Sequence, residues 1–171
     1  MLKKILLVPF ISLFVLAFYY SELVFAQTTD QVTATVTVQN IALSVSDGDI
    51  AYGTLALSSY QNTSTLTQTQ TITNDGNVAI DVGIIGTDST AWTLETAVGA
   101  NQYVHSFCTT TCGTYPGANY TSMNADTYTT VTTGLASLGT KSLDLGISTP
   151  SSSSSYLQQS VNVTVQASAS S

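Results

Sequence analysis

From Val32 to Gln39 apolar and polar side chains take strict turns: Val32, Ala34, Val36 and Val38 against Thr33, Thr35, Thr37 and Gln39. A two-residue period gives an extended strand two unlike faces, and no stretch of the chain sustains a helical period. Ile41, Leu43 and Val45 carry the alternation to a turn at Asp47-Gly48-Asp49. The same pattern predicts strands over 50–57, 66–73, 78–85, 92–96, 102–107, 128–132, 141–147 and 160–167. About nine or ten short strands broken by Gly, Asn, Asp and Ser turns predict an all-β fold. The expected architecture is a single antiparallel β-sandwich, Ig-like or jelly-roll-like.

Threonine suits such strands because its branched Cβ fits the pleat and its hydroxyl meets water without charge. Thr67, Thr69, Thr71 and Thr73 supply one wet face; on the other, Leu66 and Ile72 bracket Gln68 and Gln70, which places this strand near a sheet edge. Asn74-Asp75-Gly76-Asn77 follows, a run of residues that tolerate positive φ, so TITNDGNVAIDVGIIG reads as a hairpin. Residues 101–130 are long for a connection. The Ser-rich stretch 148–156 reads as a flexible one.

The first residues set the compartment. Lys3 and Lys4 precede the apolar run ILLVPFISLFVLAF, Glu22 interrupts it, and Val24-Phe25-Ala26 offers small side chains at the cleavage positions. This predicts a signal peptide over 1–26 and a mature β-sandwich domain over 27–171, secreted or associated with the cell surface. Beyond residue 26 one lysine stands against nine carboxylates, a net charge of −8, with no arginine anywhere. Phosphate backbones and anionic lipid surfaces demand cations, so neither nucleic acid nor membrane is an expected partner of the mature chain.

Cys108 and Cys112 are the only cysteines. In an exported chain a close pair is most simply a disulfide, and the small ring limits its stabilisation to roughly 2 kcal/mol. A metal site needs more ligands than the lone His105 adds, so neither metal nor cofactor is expected. His105 shares parity with Tyr103 and Phe107 and reads as a packed residue. Gly134-Leu-Ala-Ser137-Leu-Gly139 has the wrong spacing for a nucleophile elbow, and Glu95 has no identifiable partner. The chain is not expected to be an enzyme. Lys141, in phase with Leu143 and Leu145, should sit at a core edge with its ammonium reaching water. Asn62, Asn119 and Asn162 begin glycosylation sequons, at about the frequency that a Ser/Thr-rich chain produces by chance.

Rigid aromatic faces with polar tips suit sugar rings and apolar partners. Trp92, Tyr103, Tyr115, Tyr120 and Tyr128 are the candidate ligand-binding residues, most of them in the disulfide-bearing, Tyr-rich loop at about 101–130. IALSVSDGDIAYGTLAL followed by TQTITNDGNVAIDVGIIG resembles the Ig-like repeats of prokaryotic surface proteins. Ala91-Trp92-Thr93-Leu94 is similar to the Trp-x-Leu signature of WxL domains, a resemblance that implies non-covalent binding to peptidoglycan. That family's distal Trp-x-Leu has no counterpart here, Trp92 being the only tryptophan.

Two functional classes follow. The first is a non-enzymatic structural or adhesive surface protein, a filament subunit in which QVTATVTVQN or SVNVTVQAS pairs with the sheet edge of a neighbour. Its partners would be copies of itself or other surface proteins. The second is a module that binds cell-wall or other polysaccharide.

Overall fold

The computed structural model describes residues 29–171, and the predicted signal peptide lies outside them. The chain divides into two units, Met1–Thr37 and Val38–Ser171. Of the first, residues 29–37 are described: they are exposed, lie in no strand and pair with none among the described residues.

The second unit is all-β, a sandwich-like arrangement of two sheets. Its strands are β1 (Leu43–Val45), β2 (Tyr60–Asn62), β3 (Gln70–Asn74), β4 (Ile80–Gly86) and β5 (Thr93–Leu94). They are followed by β6 (Gln102–Cys108), β7 (Thr121–Ser122), β8 (Thr129–Leu135), β9 (Thr140–Ser148) and β10 (Val163–Ala169). The larger sheet runs β1-β3-β9-β6-β5; β2 continues along β9 beyond β3, and β7 lies on β6. The smaller sheet is β10-β4-β8, with β4 in the middle. All pairs are antiparallel except β5 with β6.

Alternation builds the core. Ile80, Val82 and Ile84 of β4 point across to Ile72, Leu143, Leu145, Ile147, Tyr103 and Phe107 of the larger sheet. β9 departs from alternation because all of Leu143 to Ile147 is buried. Its leucines and Ile147 belong to the inter-sheet core, while Asp144 and Gly146 lie beneath the segment that follows β6. β6 and this stretch of β9 are therefore covered on both faces, as their uninterrupted burial requires.

Several expectations change. Asn74 to Asn77 do not close a hairpin: β3 belongs to the larger sheet and β4 to the smaller, so the turn is an arch between layers. None of these residues has positive φ. The Asn74 side chain, fully buried, holds the arch by donating to the carbonyls of Val78 and Leu135 and accepting from Gly76 N–H. Gly76 is needed for another reason, since a Cβ there would collide with the Asn40 carbonyl. Asn77 grips the same incoming chain, accepting from Asn40 N–H (2.7 Å) and donating to Val38 O (2.9 Å).

β3 is not at an edge but between β1 and β9, and residues 64–67 form a turn. Gln70 is buried there because its side chain accepts from Gly48 N–H and donates to Gln68 O. Residues 50–57 form no strand. The last predicted strand, SVNVTVQAS, pairs within its own sheet along the whole of β10.

Candidate functional site

Two places combine buried polar chemistry with aromatic side chains, on opposite faces of the larger sheet. The first is a cavity of about 1130 Å³ on the inner face. Leu143, Leu145 and Ile147 of β9 and His105 of β6 line it, facing Val163 and Val165 of β10. Residues 48–57 form its opposite bank. Along that bank Ile50, Tyr52 and Leu55 pack on the core, while Ala51, Gly53, Thr54 and Ala56 are exposed. Voids larger than a water molecule are few in protein interiors, so a space of this size marks unfinished packing or a site.

His105 is fully enclosed at this face. Tyr52 Oη lies 2.9 Å from its Nε2, and among the described residues its Nδ1 has no hydrogen-bond partner. Desolvation lowers the imidazole pKa from 6.5 to about 4, so the ring is neutral at ordinary pH. Burial likewise pushes the Tyr52 phenol well above its usual range. Neither group is poised for proton transfer near neutrality.

The second place is the outer face, where the segment after β6 folds back over the sheet. Cys108 and Cys112 form a disulfide at its base. Tyr115 lies flat on Gly146, where an added Cβ would come within 2.5 Å of the ring, and its hydroxyl meets Ser148 Oγ at 3.0 Å. Tyr120 packs edge-on against Tyr115, with ring centroids 4.7 Å apart. Beneath them Asp144 is buried, accepting hydrogen bonds from Thr63 Oγ1, Tyr120 Oη (2.5 Å) and Asn62 Nδ2 (3.4 Å). Desolvation, reinforced by the bond to Asp144, pushes the Tyr120 phenol up to about 12. The three donors around Asp144 are thus spent on its carboxylate.

The structure does not bring the five candidate aromatics together. Trp92 lines the inner cavity, its Nε1 donating to Ser153 Oγ (2.8 Å). Tyr103 is buried in the core, its hydroxyl bound to the Thr87 carbonyl. Tyr115 and Tyr120 cover the outer face of the larger sheet, and Tyr128 lies on Gly83 of the smaller one. Of the five, only Trp92 lines the inner cavity. Sequence reasoning missed Tyr52, Asp144 and the cavity itself. One local signal for the outer face exists: Asp144, Gly146 and Ser148 are small or polar at alternate positions of an apolar strand, which leaves room for a covering ring.

Among the described residues no group of three or more His, Cys, Asp or Glu side chains is placed to hold a metal ion. Nor does any described helix have the length and apolarity to cross a membrane. Lys141 is half-buried, and its ammonium donates to Thr110 Oγ1 at 3.1 Å. Of the three sequon asparagines, Asn119 and Asn162 are exposed, whereas Asn62 is tied to Tyr120 and Asp144. Comparison with protein-family models, curated proteins and solved structures finds no match to this chain.

Proposed function

We propose that the chain is an exported, non-enzymatic surface protein that builds fibres, each copy lending an extended segment to the sheet edge of the next. One observation carries this reading. Residues 31–40 alternate as a sheet strand does, yet 29–37 join no sheet among the described residues, and Val32, Val36 and Val38 are 95%, 91% and 79% exposed. Burying each of those valines is worth roughly 1.5–3 kcal/mol, and the strand's backbone groups also need partners. A strand of this kind fits the edge of a neighbouring sheet.

The alternative donor, SVNVTVQAS, is already engaged in β10, which leaves the N-terminal segment as the one available. The Cys108–Cys112 disulfide is compatible with an oxidising, extracellular compartment. A polysaccharide-binding module would gain from aromatic rings set side by side, whereas these rings lie on three different surfaces.

Electron microscopy and sedimentation of the purified mature protein test the proposal. Fibres are expected at high protein concentration, and Val36→Asp, which places a charge in the lent strand, should abolish them. Wild-type protein that stays monomeric at every concentration overturns it.

A further inference from the structure

Granting strand exchange, the next question is which edge accepts the strand. We infer that it is the free edge of β10, and that residues 31–37 of a second copy lie in the cavity between β10 and residues 50–57.

The sheets differ in width. The larger is five strands across and the smaller three, so part of the larger sheet's inner face has no strand opposite it. Strands in a sheet are spaced about 4.8 Å apart, so one more beside β10 extends the smaller sheet by the width of a strand. β10 pairs with β4 over all of Val163 to Ala169, and among the described residues its second edge pairs with nothing. On the far bank, residues 50–57 are likewise outside both sheets. An inserted strand thus meets a backbone on each side and the apolar side chains of Leu143, Leu145 and Ile147 beneath.

Chemistry agrees with geometry. QVTATVTVQN carries no charge, and Asp49 is the only carboxylate lining the cavity. With Val32, Ala34 and Val36 turned inward, Thr33, Thr35 and Thr37 come out beside the exposed Thr164, Gln166 and Ser168 of β10. The wet face of the smaller sheet continues unbroken.

Other edges are poorer. β1, β5 and β7 are three residues or fewer. β8 is full length, but its register against β4 slips twice between Ile80 and Gly83, a distortion that discourages further pairing. Because the lent strand and the receiving groove are different surfaces, the contact is head-to-tail and propagates.

Trp92 lines the cavity and is the only tryptophan, so its fluorescence reports occupancy. The probe is a synthetic peptide of residues 31–40, added to the full mature chain. It should shift Trp92 emission saturably and shorten fibres, while a peptide of the same composition with scrambled alternation does neither. Directly facing side chains of neighbouring strands lie about 4.5–5.5 Å apart at Cβ, near enough that a small strand adjustment brings two cysteines to the roughly 3.5–4.5 Å of a disulfide. A Val36→Cys variant carrying Val163→Cys or Val165→Cys should therefore give a reducible ladder of covalent oligomers under oxidation. Fibres that form while the peptide leaves Trp92 unchanged and no pair gives a ladder overturn the β10 assignment and leave fibre formation standing. Intramolecular crosslinks in monomers overturn both, as does the absence of fibres.

Discussion

Two buried titratable side chains occupy opposite faces of the larger sheet, and they are treated differently. Asp144 on the outer face accepts hydrogen bonds from Thr63, Tyr120 and Asn62, beneath two tyrosine rings the chain folds over it. His105 on the inner face has, among the described residues, one partner, Tyr52, and an Nδ1 without one beside an open cavity. The outer face is finished from within the chain: a disulfide sets the loop's start, a glycine admits Tyr115 and a carboxylate collects the hydroxyls. The inner face is not. Burial of a polar group is tolerated where its hydrogen bonds are complete, so the contrast locates where the fold relies on itself and where it has room for something else.

The largest effect expected from breaking this contrast is on the outer face. Asp144→Ala removes the acceptor shared by the buried Asn62 and Thr63 and the half-buried Tyr120 and should lower unfolding free energy by roughly 3 kcal/mol or more, measured by denaturant titration. Trp92 fluorescence in the folded variant should be unchanged, because the damage is on the other side of the sheet. Gly146→Ala comes next: its Cβ displaces Tyr115 and should cost roughly 1–3 kcal/mol. Faster hydrogen exchange confined to residues 109–120 identifies the cause.

The smallest effect is the acid response of the inner face. The lowered His105 pKa means that the unfolded chain binds more protons than the folded one between pH 6.5 and about 4. Its contribution is complete above that interval, declines as pH falls through it, and is gone below. His105→Leu should flatten the wild-type stability profile within this window. Parallel profiles for the two proteins would contradict the neutral, desolvated imidazole.

Much of the fold is legible in period two, because β4 and β10 face water on one side and must alternate. β6 and β9 are covered on both sides, and there the pattern misleads: Asp144 reads as a wet position and is buried. The arch at Asn74 to Asn77 reads as a hairpin because local turn chemistry says that a chain reverses, not whether it stays in its sheet. Gly76 is set by a neighbour 36 positions earlier, Asn40, which no local window reveals. β2 and β7 are too short to carry a period and exist only as partners of β9 and β6. The cavity has no sequence signature, since it is a mismatch between two sheet widths. Residues 31–40, by contrast, stand out in the sequence as a strand and join no sheet in this molecule from residue 29 to 37.

Past the first four residues the chain has a single basic side chain of the kind trypsin-like proteases recognise, Lys141. It lies in β9, the longest strand, opposite Ile72 of β3, with its ammonium held by Thr110. The one scissile bond on offer, Lys141–Ser142, becomes reachable only when the sheet comes apart, so digestion by such enzymes is governed by how often the domain opens. A chain that nearly dispenses with cations thereby offers trypsin-like enzymes almost nothing to cut while it stays folded.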